Sequence, residues 1–278
     1  FIFSKGRSIG LEDRFPELFV INSSKSKIFI IKKKDELIGG VVVKFFNLKQ
    51  YSSIYKCAML GSVWICPLYR GTKLGSRLIA EVNAWLQQTN IDLAFLWTNK
   101  FKFYESHNWK ISDGSFFGEM GLFNKINSAV NIRVVNELSH DFFLSLEEFR
   151  KSKLDIHTPR DLDSYNIIPI PAEKVTFFMC IDNKTLIGYA IIGSKDDVAY
   201  IYDLLGSSEV ILSILTEIRY TYKQVFLNTN KHDFSYGVFS DNDLFNLNQQ
   251  FLSMYYIINP NITEYTAKQI YIPYFDRI

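Results

Sequence analysis

The sequence predicts a mixed α/β protein, α+β in the sense of mixed sheets, with two similar halves that each set a central sheet against flanking helices. Three observations carry this. Apolar runs of strand length alternate with stretches of helical period. One buried strand enters a glycine-containing turn that opens directly into an amphipathic helix. The order of elements in the first half then returns in the second.

Lys27 to Lys34, rich in Ile and Phe, reads as a strand, Asp35-Glu36 as a turn, and Leu37 to Phe46 as the partner strand of a hairpin. Tyr55 to Ile65 is largely apolar and so central. Pro67 ends it, because proline cannot donate a ladder hydrogen bond. From Ser76 to Gln88, the residues Leu78, Ile79, Val82, Trp85 and Leu86 fall on one face of a helix. Asp92 to Thr98 is a further buried strand, Phe101 to His107 a short helix, and Trp109 to Ile111 the start of another strand.

The second half echoes this. Asn183 to Ile192 repeats the pattern of Lys34 to Val43, a polar turn before Leu-Ile-Gly and then small and β-branched residues. Val175 to Ile181 supplies the partner strand, and Val198 to Leu205 the third. Ser207 to Tyr222 reads as the helix and Gln224 to Leu227 as the next strand. The pattern predicts an internal duplication, with domains at 1–130 and 131–278 and a boundary between Asn124 and Thr176. Within that junction, His157 to Asp161 and Pro169-Ile170-Pro171 read as loop, and Val134 to Lys153 as partly helical.

Composition narrows the function classes. The chain has 278 residues, a formal charge of +2 and a 22 % charged fraction, with no basic stripe, so nucleic acid is not expected as a partner. No apolar run is long enough for a membrane span, and Phe1 to Lys5 lacks the basic start of a signal peptide, so a cytoplasmic protein is expected. Cys57, Cys66 and Cys180 have neither disulfide-framework nor zinc spacing, and read as reduced thiols, Cys66 as a small core residue. His140, His157 and His232 have no metal spacing, and no metal is expected. A homodimer is compatible with the sequence.

The chemistry concentrates in Val63-Trp64-Ile65-Cys66-Pro67-Leu68-Tyr69-Arg70-Gly71-Thr72-Lys73-Leu74-Gly75-Ser76-Arg77. Backbone N–H groups in such a turn and in the first helical turn lack internal partners, and the helix dipole favours negative charge beside them. This is a pyrophosphate site in waiting, with Arg70, Lys73 and Arg77 adding charge. It is neither a nucleoside-triphosphate loop nor a dinucleotide fingerprint, since neither glycine pattern is present.

Here the chain resembles the GNAT acyltransferases, in which a central strand ends in Arg/Gln-x-x-Gly-x-Gly/Ala. Arg70 to Gly75 matches at its first and last positions, with Lys73 in place of the middle glycine. Asn99, four spacers and Tyr104-Glu105-Ser106-His107-Asn108-Trp109 are similar to the family's second motif, with Asn108 where glycine is usual. The resemblance spans residues 27 to 120. It implies acetyl-CoA or another short acyl-CoA as co-substrate, held by Val63, Trp64, Ile65, Arg70, Gly71, Thr72, Lys73, Leu74, Gly75, Ser76, Asn99 and Tyr104. It also implies Tyr104 as the catalytic general acid that protonates the departing thiolate.

The acceptor expected is the amine of a small molecule or amino sugar. The general base is open: Glu12, Asp13, Glu17 and Glu119 are candidates by elimination only, and His107 reads as a half-exposed helix-end residue. The second half has Leu204-Leu205-Gly206-Ser207-Ser208-Glu209 where the phosphate loop would fall, without a basic residue, so that copy is expected to be degenerate for CoA. Two rival readings stand beside this one: a non-catalytic acyl-CoA-binding or structural module, and an aminoacyl transferase of the Fem type. The Arg70 to Gly75 loop argues against the latter.

Overall fold

The computed structural model describes residues 9–19, 23–112, 114–121, 130–242, 244–250 and 252–278. The expectations drawn from Phe1 to Lys5 and from the Asn124 end of the boundary lie outside them. The chain begins with a short helix α1 (Leu11–Arg14). The hairpin then forms as its apolar pattern dictates, β1 (Ser26–Lys33) against β2 (Glu36–Gln50), with Ile28 opposite Val42. Then follow β3 (Ser53–Ile65), α2 (Leu74–Gln87), β4 (Leu93–Trp97), α3 (Phe101–Glu105), β5 (Lys110–Ile111) and β6 (Ser115–Met120).

The second half runs β7 (Asn131–Val135), α4 (His140–Lys153), β8 (Ile156–His157), β9 (Lys174–Asp182), β10 (Thr185–Lys195), β11 (Val198–Gly206), α5 (Ser208–Thr221) and β12 (Gln224–Asn230). The short α6 (Tyr236–Asp241), β13 (Phe245–Gln250), β14 (Ser253–Ile257) and α7 (Glu264–Gln269) complete it. Val134 and Val135 are strand rather than helix, because they pair with Phe178 and Phe177. The helix of that segment starts at Ser139, whose hydroxyl caps Phe142 N–H. Ile156–His157 is likewise strand rather than loop, paired with Gln50 and Lys49 of β2.

Two seven-stranded mixed sheets result, ordered β1-β2-β3-β4-β14-β5 with β8 on β2, and β13-β6-β12-β11-β10-β9-β7. The sheets do not part at residue 130. The first half's β6 lies between β12 and β13 of the second sheet, while β14 slots between β4 and β5 of the first. The halves therefore exchange one strand each, at matching places.

Each sheet carries a helix on one face. Ile79, Val82 and Leu86 of α2 pack on Val43, Leu60 and Leu96, and Ile211, Ile214 and Ile218 of α5 pack on Ile201, Val225 and Leu227. On the first sheet's other face Leu48, Met59 and Phe95 meet Ile270 from the end of α7. A further cluster joins the halves, setting Leu11, Phe15 and Val42 against Phe177, Tyr189, Tyr202 and Phe275. Within that joint sits a buried ion network. Arg160 pairs with Asp276 (2.6 Å) and Asp203 (2.8 Å), and Arg150 with Glu147 (2.6 Å). Burial alone would raise the Asp276 carboxyl, but the Arg160 guanidinium overrides it and holds the group below the usual carboxylate range. Arg160, at the end of a stretch that reads as solvated loop, is thus one of the deepest charges in the protein.

Candidate functional site

β3 and β4 pair in parallel from Cys57–Leu93 to Leu60–Leu96 and then separate. The cause is a bulge. Val42 faces Gly61 and Gly40 faces Trp64, so two residues of β3, Ser62 and Val63, oppose one of β2, with Ser62 at φ +53°. Bulges bend a strand and increase its twist. The end of β3 swings away from β4, and a cleft of about 1000 Å³ opens between them. Gly61–Ile65 have no ladder partner on the β4 side, so their backbone faces the cleft. Ile278 closes one wall, packed so tightly that a Cβ on Gly61 would lie 2.7 Å from its Cγ1.

The cleft runs to the start of α2. Arg70 Nε donates to Ile65 O at 3.1 Å, tying the loop to the strand end, and Thr72 Oγ1 donates to Tyr69 O at 2.6 Å. Gly71 sits at φ +78° with open space where a Cβ would be. Lys73 takes φ +63°, ψ +9°, the left-handed conformation that the family's glycine would supply freely, so the loop keeps its path despite the substitution. No side chain caps α2, and the first-turn N–H groups of Leu74, Gly75 and Ser76 point out of the helix without an internal partner.

Tyr104 lies on the opposite wall. Its helix is pinned to α2 through Asn83, which accepts from Trp109 Nε1 (3.2 Å) and donates to His107 O (3.0 Å). Asn108 ends the turn at φ +66°, as Asn can. The Tyr104 ring makes edge contacts with Phe103 and Trp109. Burial pushes its hydroxyl up to about 12, so it stays protonated through the physiological range. His107 meets Phe103 edge-on, and burial lowers its pKa. It is not among the cleft residues.

The structure brings Val63, Trp64, Ile65, Arg70, Gly71, Lys73, Leu74, Gly75, Ser76, Asn99 and Tyr104 to this one cleft. Thr72 is the exception, turned back onto its own loop. Among the described residues, the walls carry Arg70, Lys73 and Lys100 but no carboxylate or histidine side chain. None of the candidate bases reaches it: Glu17 is paired with Lys44 at 2.7 Å, Glu119 belongs to the second sheet, and Glu12 and Asp13 lie on α1. Cys66, expected in the core, is half-buried beside the loop, whereas Cys57 and Cys180 are buried. Sequence reading missed Trp97, Phe103 and above all Ile278, whose part in the cleft has no local signal.

The matching place in the second half is built differently, with a hollow of only about 40 Å³ between the strand ends. β11 and β12 also part, after Ile201–Leu227. There Ser235 Oγ donates to Leu204 O, the Ser207 hydroxyl caps α5 through Val210 N–H, and a Cβ on Gly206 would meet Val210 at 3.0 Å.

A split β-sheet whose gap meets an uncapped helix start defines a GNAT-like fold, and comparison with known proteins agrees. Residues 24–111 match the model of the acetyltransferase (GNAT) domain, about a third of the chain. No curated protein matches it by sequence. Among solved structures it is similar to a probable N-acyltransferase of unknown function from Enterococcus faecalis V583 (TM-score 0.73, 13 % identity, covering 93 % of this chain and 68 % of that one). A GCN5-related N-acetyltransferase from Anabaena variabilis is also similar (0.65, 15 %, 84 % and 63 %), so the chain spans less than two thirds of that protein. A tandem GNAT protein from the clavulanic acid biosynthesis pathway aligns over most of both chains (0.58, 7 %, 86 % and 85 %). At these identities the likeness is one of fold, two GNAT-like units with mixed sheets flanked by helices.

Proposed function

We propose that the protein moves an acetyl or other short acyl group from acyl-CoA to the amine of a small molecule, by direct transfer in the N-terminal cleft. We take residues 1–130 as the working unit and 131–278 as a copy that has lost its own CoA site. The observation that carries the reading is the meeting, in one cleft, of the freed end of β3, the uncapped start of α2 with Arg70 and Lys73, and Tyr104.

Each part has a use. The N–H groups of Leu74, Gly75 and Ser76, with Arg70 and Lys73, suit a pyrophosphate. The backbone of Val63–Ile65 suits the pantetheine arm as an added strand, and its N–H groups can meet the negative charge that develops on the thioester oxygen. The neutral amine supplies the electron pair of the new C–N bond, the C–S bond breaks toward sulfur, and the Tyr104 hydroxyl protonates that sulfur. The amine's surplus proton leaves to water, the described residues of the walls offering no carboxylate or histidine side chain to take it, and Tyr104 is reprotonated from solvent. Reduced Cys57, Cys66 and Cys180 fit a reducing compartment such as the cytoplasm.

Calorimetric titration with acetyl-CoA tests the site. Wild type should bind and Arg70→Glu should not. Tyr104→Phe should still bind acetyl-CoA but lose roughly 10²–10⁴-fold in kcat. The lack of a carboxylate or histidine side chain to act as general base among the described residues of the walls favours a second reading, an acyl-CoA-binding module without turnover. Tight binding with no thiol release on a wide amine panel would establish that reading instead.

A further inference from the structure

Behind the Trp97–Asn99 strand end lies a second hollow of about 420 Å³. It shares Trp97, Thr98, Asn99 and Ile278 with the cleft, so a molecule held there sits next to the place where the thioester would lie. Its other walls are largely flat and apolar, with Phe15 and Tyr274 prominent.

One charge lines it, Arg277. This side chain is 8 % exposed. Its Nε and Nη2 donate to Ile272 O (3.0 and 2.9 Å) and its Nη1 to Asn228 Oδ1 (2.7 Å). The guanidinium lies over the rings of Trp97 (4.8 Å) and Tyr274 (5.2 Å). A guanidinium has five N–H donors, so these bonds leave two to spare. Among the described residues none of the ion pairs includes Arg277. Its neighbour Asp276 is engaged by Arg160. Asp276 and Asp233 act on Arg277 only from beyond ion-pair distance; burying a guanidinium without a contacting carboxylate is unfavourable, and Arg160, equally deep, has two.

We propose that the acceptor is an amino acid with an aromatic or large apolar side chain, acylated on its α-amine, with its carboxylate held by Arg277 and its side chain lying among Phe15, Trp97 and Tyr274. The inference rests on the acyl-transfer reading and narrows it. An amino sugar or polyamine would find no side-chain carboxylate among the described residues of either hollow to balance its charge. An amino acid supplies the missing anion, the flat apolar body and the nucleophile together. The products are an N-acyl amino acid and free CoA thiol.

The test follows thiol release from acetyl-CoA with phenylalanine, tryptophan, leucine, phenethylamine, glucosamine and spermidine, with products identified by mass. Phenylalanine should exceed phenethylamine, which lacks only the carboxylate, by about 30-fold or more in kcat/KM, because a site built for a polar group rejects analogues without it. Arg277→Met should collapse that ratio toward one, and Arg277→Lys should restore part of it. Acetyl-CoA titration of both variants reports that the fold is intact. N-acetyl-L-phenylalanine, titrated with CoA present, gives a readout independent of turnover and should bind wild type at least about tenfold more tightly than Arg277→Met. If phenethylamine, glucosamine or spermidine is used as well as phenylalanine, this inference is overturned while acyl transfer stands. If acetyl-CoA itself does not bind, both fall. If acetyl-CoA binds but N-acetyl-L-phenylalanine does not, the inference fails alone.

Discussion

Lys73 shows how a single residue can depart from a motif and keep its geometry. The position requires a positive φ, and the lysine adopts it at +63°. A left-handed non-glycine residue costs about 1–2 kcal/mol, and glycine gives back about 0.5–1 of that in chain entropy. Lys73→Gly should therefore raise stability by up to about 1 kcal/mol in urea denaturation, while weakening acetyl-CoA binding through the lost charge. Asp233 makes the opposite case, a native residue held against its preference. Burial pushes its carboxyl up to about 6, against the pull of Ser235 N–H and the Thr229 hydroxyl. An acid whose folded pKa exceeds its unfolded value stabilises fully below about pH 4 and loses that contribution as pH rises through about 6. The residue keeps some exposure, so the loss should be about 1–2 kcal/mol. Asp233→Asn should be the more stable protein at pH 7.5, by that margin relative to pH 4, in denaturant midpoints measured at both.

At the scale of elements, the loop from Arg70 to Gly75 was legible as a turn between strand and helix because everything it needs is local: a strand, a turn and a helix within one short stretch. The helix from Leu74 and the strands around it followed from periodicity alone. The junction was less legible. Val134 and Val135 carry apolar residues at a spacing that suits a helix, yet pairing with β9 decides for strand. The short helix bearing Tyr104 depends on tertiary support rather than on its own five residues. Asn83→Leu removes the bridge to Trp109 Nε1 and His107 O. It should cost about 1–3 kcal/mol for the buried indole N–H, and lower kcat more than it raises KM for acetyl-CoA, as steady-state kinetics would reveal.

On the scale of the molecule, the duplication was visible in the repeated Leu-Ile-Gly hairpins, but the exchange of β6 and β14 was not. Register between strands so far apart in sequence leaves no local trace, and each strand would read the same in either sheet. The hollow bearing Arg277 escaped because its walls come from both halves, and the Arg160 network because its partners, Asp203 and Asp276, lie far along the chain from it. The exchange predicts that neither half folds by itself. Residues 1–130 made alone should lack a cooperative thermal transition and acetyl-CoA binding, and mixing with residues 131–278 should restore both, as calorimetry of the fragments and their mixture would report.

The same exchange sets an order of events on the ribosome. Leu96 finds its partner only when Met254 has been made, on the order of ten to thirty seconds later at bacterial-to-eukaryotic elongation rates of roughly 5–20 residues per second. Until then the edge of β4 that faces away from β3, carrying Leu93-Ala94-Phe95-Leu96, is an open apolar strand, the kind of edge that recruits other chains. The nascent protein thus has a defined interval of vulnerability in which a holdase chaperone has something to hold, and it closes when the last strand of the first sheet arrives.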